Sequence, residues 1–245
     1  MRIAVMAGGR VGARTVDFLV AHHPQDIAVI VFVSAEDAQD WRAGDARRAA
    51  VKTLSWDDRA ALRALQPDVL LLAWWPFLLK GDDLTLAPVT LNMHPSLLPH
   101  CRGKDPNFWA IVEQRPFGVT LHHVDASVDG GAIAFQREIA FDWTATGKSL
   151  YEAAESEMLQ LFIDSYPEIA AGRIPRIAQD AGAGVAHRRA ELEPASTIDL
   201  DAPTTARELL NRLRARTFEP WPACRFTDGG ETFEARVEIR RAPKE

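Results

Sequence analysis

The chain has 245 residues, with 28 basic and 34 acidic side chains and a formal net charge of −6. This acidic balance argues against sequence-independent binding to a nucleic-acid backbone. The 47% apolar and 25% charged residues are typical of a packed globular chain. Two cysteines, Cys101 and Cys224, are too few for a disulfide scaffold or a four-cysteine zinc site. Without a secretory apolar run or a membrane-length segment, we expect a cytoplasmic protein that does not contact a membrane.

The first half of the chain alternates short apolar strands with helical segments. The pattern predicts strands at residues 2–6, 27–33, 68–73 and 89–93, and helices from the glycine turn to Leu19 and over 57–65. The run at 27–33 is apolar at every position, as in a strand covered on both faces. This order predicts an α/β fold with a Rossmann-like, mostly parallel sheet and flanking helices.

The second half changes character after residue 116. Residues 118–124 and 132–141 predict two strands, and 148–171 predict a long helix. The Ala/Gly-rich segment 179–183 is the predicted linker. A helix at 204–215 and a β-hairpin at 223–228 and 232–240 follow it. We therefore predict a main domain at 1–178 and a small carboxy-terminal helix and hairpin subdomain at 179–245.

A glycine turn follows the first strand and suggests two interpretations. Gly8, Gly9 and Gly12 form G-G-x-x-G rather than the G-x-G-x-x-G of dinucleotide-binding proteins. The second strand runs out into Val33-Ser34-Ala35, and the first acidic residue is Glu36, so the acidic residue that nicotinamide binding requires at the strand end is missing. A strand-to-helix turn needs glycine for geometry alone, although its helix amino end can also hold a phosphate.

A denser group of polar residues follows the strand at 89–93. Asn92 and His94 are two positions apart, so their side chains face the same way at the carboxyl end of a buried strand. Ligands bind at that end in open α/β sheets. Pro95 and Pro99 stiffen the following loop, and residues 102–104 add positive charge.

The segment HHVDASVDGG at 122–131 supplies two carboxylates, Asp125 and Asp129. A carboxylate beside His94 would raise its basicity and fix its orientation. An asparagine, a histidine and a carboxylate together can bind a developing oxyanion and move a proton. The alternative is that the Asp-Gly pair simply forms a turn.

A metal site is a competing interpretation, because several residues of this region are potential ligands. None of them follows the H-E-x-x-H or C-x-x-C spacing, and adjacent histidines on a strand face opposite sides. We therefore predict no metal. The potential ligands are His94, His100, Cys101, His122, His123, Asp125 and Asp129.

Residues 91–113 and 116–136 resemble the formyltransferases that use 10-formyltetrahydrofolate. Asn92, His94 and Asp129 match the N-x-H and D-x-G of that family. The DPNFW element and residues 184–218 look most like the sugar N-formyltransferases, which act on nucleotide-linked amino sugars. Two positions depart from the family pattern: Gly130 replaces a usual threonine or serine, and His100 replaces a small or aromatic residue.

The resemblance implies transfer of the formyl group of 10-formyltetrahydrofolate to the amine of a nucleotide-linked amino sugar, with dTDP as the expected carrier. Asn92 and protonated His94 would stabilise the oxyanion, and Asp129 would hold the imidazole and a water. The reduced folate would lie against two segments. Its implied contacts are Trp74, Trp75, Phe77, Leu78, Leu79, Val124, Asp125 and Asp129.

The expected contacts of the sugar nucleotide are Gly9, Ser96, Arg102, Gly103, Lys104 and Trp109. For Trp109 the alternative is a place in the hydrophobic core, because the residue lies on an apparently amphipathic helix. The resemblance further implies a homodimer formed through the carboxy-terminal hairpin. Phe226, Phe233, Val237 and Ile239 alternate there as a half-buried surface would.

Three other functions are less consistent with the sequence. A methionyl-tRNA formyltransferase needs a basic RNA-binding domain, and residues 180–245 are few and lack a positive excess. A glycinamide ribonucleotide formyltransferase leaves the carboxy-terminal segment unexplained. A non-catalytic nucleotide-binding module predicts that His94→Ala leaves function intact.

Overall fold

The computed structural model describes residues 1–180 and 182–243. Its strands are β1 (Ile3–Ala7), β2 (Ile27–Phe32), β3 (Thr53–Ser55), β4 (Val69–Ala73), β5 (Val89–His94), β6 (Arg102–Gly103), β7 (Gly118–His123), β8 (Ile133–Glu138), β9 (Ala186–His187), β10 (Cys224–Asp228) and β11 (Glu231–Ala235). Its α-helices are α1 (Gly9–His22), α2 (Ala35–Ala43), α3 (Ala46–Ala49), α4 (Arg59–Ala64), α5 (Pro106–Val112), α6 (Gly147–Ala170), α7 (Leu192–Ser196) and α8 (Ala206–Ala215). Short 3-10 helices occur at Pro24–Asp26, Gly81–Thr85 and Arg189–Glu191.

Within the described residues, seven strands form one sheet in the order β3-β2-β1-β4-β5-β7-β8. The strands β1 to β5 pair in parallel, and β7 pairs antiparallel with β5. Every residue of β1 and β4 is buried, as expected for central strands with helices on both faces. The predicted α/β fold with a mostly parallel sheet and a small carboxy-terminal helix and hairpin is confirmed.

The turn between β1 and α1 needs glycine because the main chain after β4 approaches it closely. A Cβ on Gly8 would lie 2.3 Å from the carbonyl oxygen of Trp74. The main-chain nitrogen of Gly8 donates to the carbonyl of Ala73 at 2.9 Å. Close packing thus accounts for a glycine at this position.

Three elements between β2 and α4 were not predicted: α2, α3 and β3. A capping box begins α2: Asp37 N donates to Ser34 Oγ at 3.1 Å, and Ser34 N donates to Asp37 Oδ2 at 3.1 Å. The S-x-x-D pattern is a local signal for this start. The three-residue strand β3 pairs in parallel with β2 through Ile30 and Thr53, and it carries too few residues for a periodic pattern.

The hairpin at the carboxy terminus is shorter than expected. Its second strand, β11, ends at Ala235, which pairs with Cys224 at the start of β10. The prediction of a strand to residue 240 is therefore wrong. A physical reason is that Pro222, two residues before β10, has no N–H with which to extend the ladder. Val237 and Ile239 therefore follow the strand.

The chain divides into two compact units that combine distant segments. The first contains Met1–His94, Thr120–Gln136 and Ser156–Gln179. The second contains Pro95–Val119, Arg137–Glu155 and the described part of Asp180–Glu245. The boundary expected at 178/179 stays a prediction, and the expected linker at 179–183 includes Ala181, which lies outside the described residues. No helix among residues 1–180 and 182–243 is long and apolar enough to cross a membrane.

Candidate active site

The candidate site begins at the carboxyl end of β5, where Asn92 and His94 lie two residues apart. Alternate residues of a strand point to the same face, so both side chains are presented together. His94 is 5% exposed and Asn92 is half-buried. This strand therefore offers an amide and a buried imidazole at the sheet edge where α/β proteins bind ligands.

Asp129 lies beside both of these side chains. Its Oδ2 is 3.5 Å from His94 Nδ1, and its Oδ1 is 3.5 Å from Asn92 Nδ2. The structure thus brings together the three residues proposed as catalytic. A carboxylate near Nδ1 stabilises the imidazolium and orients the ring. Nε2, on the opposite side of the ring, is then the nitrogen suited to proton exchange with a substrate.

His122 is a fourth polar side chain of this cluster and was not proposed as a site residue. It lies directly opposite Asn92 in the antiparallel pairing of β5 with β7. Its Nε2 is 3.1 Å from Asn92 Nδ2 and 3.5 Å from Asp129 Oδ1. Cross-strand partners are neighbours in space, but the register that pairs them is not a local sequence signal.

The loop that carries Asp129 is held by Gln179, a second residue that was missed. Gln179 Nε2 donates to the main-chain carbonyl of Asp129 at 2.9 Å and to that of Gly131 at 2.6 Å. The segment 175–179 also bridges β8, since Ile177 and Ile133 exchange main-chain hydrogen bonds at 2.7 and 2.9 Å. We call residues 175–179 the anchoring segment.

The anchoring segment also contacts His123, which follows His122 and faces the other side of β7. His123 Nε2 donates to the carbonyl of Pro175 at 2.8 Å, so Nδ1 accepts from Arg176 Nη1 at 2.7 Å. Burial lowers the pKa of His123, and the positive charge of Arg176 lowers it further against the effect of the Pro175 hydrogen bond. The neutral imidazole is therefore the form that fits this contact.

Gly131 closes the loop against β7. A Cβ at this position would lie 1.8 Å from the carbonyl oxygen of His123, so only glycine fits without a backbone shift. Asp129 has a positive φ of 48°, in the left-handed region that non-glycine residues adopt infrequently. Backbone packing and the Gln179 hydrogen bonds thus fix an unusual conformation at the proposed catalytic aspartate.

The segment after β4 contains most of the residues expected to contact folate. Trp75 and Leu79 are buried, whereas Phe77 and Leu78 are 47% and 62% exposed. The Trp75 ring packs edge-on against Phe77 with centroids 5.7 Å apart. Exposed apolar side chains at the carboxyl end of a strand suit a planar heteroaromatic ligand.

The remaining predicted residues of the first unit lie in two places. Gly9 begins α1 next to Trp74, since a Cβ on Gly9 would lie 3.4 Å from Trp74 Cδ1. Val124 is partly buried and packs against the hydrophobic core. Asp125 Oδ1 accepts from the main-chain nitrogen of Ser127 at 2.8 Å, which forms a tight turn in the loop.

Five expected substrate contacts belong to the second unit: Ser96, Arg102, Gly103, Lys104 and Trp109. Ser96 is 1% exposed. Arg102 and Gly103 form β6 and pair in parallel with β9, and Lys104 N donates to the carbonyl of His187 at 2.9 Å. The main chain of Arg102, Gly103 and Lys104 thus pairs with the segment around His187. That any of the five residues contacts a sugar nucleotide stays a prediction.

Trp109 stacks on His187 inside the second unit. Their rings are nearly parallel, with centroids 3.8 Å apart and an interplanar angle of 8°. His187 Nδ1 is 2.9 Å from Glu191 Oε2, and its Nε2 is 3.0 Å from Glu113 Oε1. Trp109 is 8% exposed, so its observed contacts are those of a packed residue.

The cluster of Asn92, His94 and Asp129 combines a hydrogen-bond donor, a proton carrier and a carboxylate. Such a set can stabilise negative charge on a carbonyl oxygen and move a proton between two nitrogen atoms. Among the residues that the structure describes, no three His, Cys, Asp or Glu side chains are grouped to hold a metal ion.

A family model described as formyl transferase matches residues 1–165, which is more than half of the chain. The chain belongs to the formyl transferase family. This match contains Asn92, His94 and Asp129. A second match, described as the N-formyltransferase dimerization C-terminal domain, spans residues 191–241 and includes α8, β10 and β11.

The chain is similar to several curated and solved proteins. A methionyl-tRNA formyltransferase from Anaeromyxobacter sp. (strain K) is 36% identical over 177 residues, covering 71% of this chain and 55% of that protein. A 4-N formyltransferase from Francisella tularensis is 21% identical, with a TM-score of 0.83 over 98% of both chains. An N-formyltransferase from Helicobacter canadensis, solved with folinic acid and dTDP-3-aminofucose, is 16% identical, with a TM-score of 0.74 over 94% of this chain and 85% of that chain.

The sequence similarity to curated proteins and the structural similarity to solved proteins cover different parts of the molecules. The chain spans about half the length of the curated relatives it matches, 55% of the Anaeromyxobacter protein. The solved structures share the fold along nearly the whole chain. The comparisons thus show the family and the fold, and they do not identify the amine that accepts a formyl group.

Proposed function

We propose that this formyl transferase moves the formyl group of 10-formyltetrahydrofolate to the amine of a nucleotide-linked amino sugar. The observation that carries the proposal is the convergence of Asn92, His94 and Asp129 at the end of β5. These are the types of side chain that formyl transfer between two nitrogen atoms requires.

The first step forms a carbon–nitrogen bond. The neutral amine of the sugar attacks the formyl carbon, and the carbonyl electron pair moves to oxygen. Asn92 Nδ2 and the protonated ring of His94 donate hydrogen bonds to that developing oxyanion. Donors fixed before reaction stabilise the transition state more than the uncharged carbonyl, so they accelerate the step.

The second step breaks the bond to the folate nitrogen. The attacking amine loses a proton, the oxyanion re-forms the carbonyl, and the departing folate nitrogen takes a proton. His94, directly or through a water, carries the proton between the two nitrogens. Asp129 Oδ2, 3.5 Å from His94 Nδ1, stabilises the imidazolium that this transfer requires. The products are tetrahydrofolate and an N-formylated sugar.

The reduced folate is proposed to bind at segment 74–79 and the loop around Asp125 and Asp129. The exposed side chains of Phe77 and Leu78 offer apolar contact, and main-chain groups of these segments offer hydrogen bonds to an amide-like pterin. Similarity to the Helicobacter canadensis protein, which was solved with folinic acid, supports a folate as formyl donor.

Two acceptor classes compete, a sugar amine and methionyl-tRNA. The 36% identity to a methionyl-tRNA formyltransferase supports the second. The match to the N-formyltransferase dimerization C-terminal domain over residues 191–241 supports the first, since it accounts for α8 and the hairpin. The dTDP-3-aminofucose complex of the Helicobacter canadensis protein supports dTDP as the carrier. We therefore favour a dTDP-linked amino sugar.

The proposed assembly is a homodimer formed through the hairpin of β10 and β11. Phe226 and Phe233 are paired across it, with their rings stacked at 5.3 Å between centroids. Phe233 is 43% exposed, and an exposed aromatic pair is suited to burial against a second copy. The dimerization-domain match at residues 191–241 supports this surface.

The experiment is a mass-spectrometric assay with 10-formyltetrahydrofolate and separate amino sugars linked to dTDP, GDP and UDP, together with methionyl-tRNA. Wild type is expected to add one formyl group to a dTDP-linked sugar. Asn92→Ala is expected to reduce the rate about 100- to 1000-fold, the usual cost of one oxyanion donor. His94→Ala and Asp129→Ala are expected to leave little activity.

Each contrary result has a distinct meaning. Formylation of methionyl-tRNA alone would overturn the sugar acceptor and keep the chemistry. Failure to bind a folate would overturn formyl transfer itself. Full activity in His94→Ala would favour a non-catalytic role for the cluster.

A further inference from the structure

His122 is the one polar neighbour of Asn92 within the described cluster that the proposed mechanism does not use. It is 2% exposed and lies opposite Asn92 in the pairing of β5 with β7. We infer that His122 is a positioning residue that fixes the orientation of the Asn92 carboxamide for formyl transfer. This inference rests on the proposed function, since it concerns the same oxyanion donor.

The hydrogen bond at Nδ1 determines the tautomer of His122. Nδ1 is 2.9 Å from the main-chain carbonyl oxygen of His123, which is an acceptor only. Nδ1 therefore carries the hydrogen, and a neutral imidazole then has an unprotonated Nε2. In this neutral form His122 presents the lone pair of Nε2, rather than a donor, towards Asn92 Nδ2, 3.1 Å away.

This lone pair selects one of the two orientations of the Asn92 amide. Nδ2 of Asn92 is 3.1 Å from His122 Nε2 and 3.5 Å from Asp129 Oδ1, and both of these are acceptors. The flipped amide would place its carbonyl oxygen against a lone pair and a carboxylate. Amide orientation follows from such hydrogen-bond partners, so His122 and Asp129 together define it.

The orientation of the Asn92 amide matters for catalysis, because Nδ2 carries only two hydrogens to share among its partners. One hydrogen of Asn92 Nδ2 is directed to His122 Nε2, the shorter of its two contacts. The other faces Asp129 Oδ1 at the longer distance of 3.5 Å, and in the proposed mechanism it is the hydrogen that turns to the formyl oxygen. Without the His122 acceptor, the amide can rotate to present its oxygen, which repels an oxyanion.

The test compares His122→Phe, which keeps a planar ring but removes the acceptor, with His122→Gln, whose amide oxygen can accept from Asn92. The control is His22→Phe on the exposed surface of α1. His122→Phe is expected to lower kcat about 10- to 100-fold, less than deletion of the donor itself, with KM for folate and acceptor nearly unchanged. His122→Gln is expected to recover most of the loss, and His22→Phe to match wild type.

A second measurement reports the tautomer without any turnover. Two-bond proton–nitrogen correlation spectra of the imidazole rings, assigned by the signal that His122→Gln removes, are expected to show a neutral ring protonated at Nδ1. A ring protonated at Nε2 would overturn the inference, even if His122→Phe failed to fold. Wild-type kcat in a folded His122→Phe would overturn it too. A wild-type protein that transfers no formyl group would instead overturn the proposed function, while the spectrum still reports the tautomer.

Discussion

Gln179 donates from its side-chain Nε2 to the main-chain carbonyl of Asp129 at 2.9 Å, across a separation of 50 residues. The same nitrogen donates to Gly131 at 2.6 Å, so one amide holds both sides of the turn that carries the proposed catalytic carboxylate. The position of that carboxylate relative to His94 therefore depends on the anchoring segment as well as on its own loop.

Replacing Gln179 by Glu is expected to lower kcat about 10- to 100-fold, because a displacement of about 1 Å in a catalytic group has effects of this size. An ionised glutamate has no hydrogen to donate and repels the two carbonyls. Steady-state kinetics measure the change. The control is Gln160→Glu on the exposed face of α6, which is expected to leave kcat unchanged. Equal activity of the two variants would show that the anchor is dispensable.

Replacing Gly131 by Ala is expected to destabilise the first unit and to reduce activity. The added Cβ would meet the His123 carbonyl at 1.8 Å, and forced overpacking costs about 1–3 kcal/mol. Thermal unfolding measures the loss. Gly182→Ala is the matched control, because its Cβ would make an ordinary contact of 3.4 Å with Asp180. Identical melting temperatures for the two variants would contradict the packing argument.

The free energy of unfolding is expected to decrease as the pH is lowered, in part because of His123. Its pKa is lowered by burial and by Arg176, so the unfolded chain takes up this proton first as pH falls below about 6.5. The free energy of unfolding therefore decreases from that value down towards the folded pKa.

His123→Gln removes this titration and keeps a neutral polar side chain. Urea unfolding of wild type and variant near neutral pH and about one to two units lower measures the difference. The variant is expected to lose less stability on acidification than wild type. An equal or steeper loss in the variant would show that His123 does not contribute.

Replacing Trp109 by Leu is expected to destabilise the protein by about 2–5 kcal/mol, the range for truncating a large buried side chain. The change removes the ring that stacks on His187 at 3.8 Å. Trp221→Leu is the control, since Trp221 is 61% exposed. Calorimetry compares the two variants, and a Trp109→Leu protein as stable as Trp221→Leu would contradict a packing role.

Local sequence patterns predicted most of the fold. Apolar strands separated by helices gave the mostly parallel sheet, and the i, i+2 spacing gave Asn92 and His94 on one strand face. The overlooked α2 was also within reach, because Ser34 and Asp37 form a recognisable capping pair. The end of β11 at Ala235 was missed because a strand needs a partner, and β10 offers none before Cys224.

The surroundings of the proposed catalytic residues were beyond local patterns for a physical reason. His122 meets Asn92 through the register of two strands separated by a loop and a helix. Gln179 was assigned to a linker on composition, and its contact with Asp129 arises only after α6 has returned the chain to the sheet. Both relationships depend on tertiary structure, which no window of sequence contains.

The most direct test of the account follows the formyl carbon itself. 10-Formyltetrahydrofolate labelled with carbon-13 in the formyl group is incubated with a dTDP-linked amino sugar, and carbon NMR is recorded with wild type and with Asp129→Asn. With wild type the label is expected to move from the folate to an amide on the sugar, and with Asp129→Asn it is expected to stay on the folate over the same period. Label that never reaches the sugar, or transfer at an equal rate with Asp129→Asn, would contradict the proposed function.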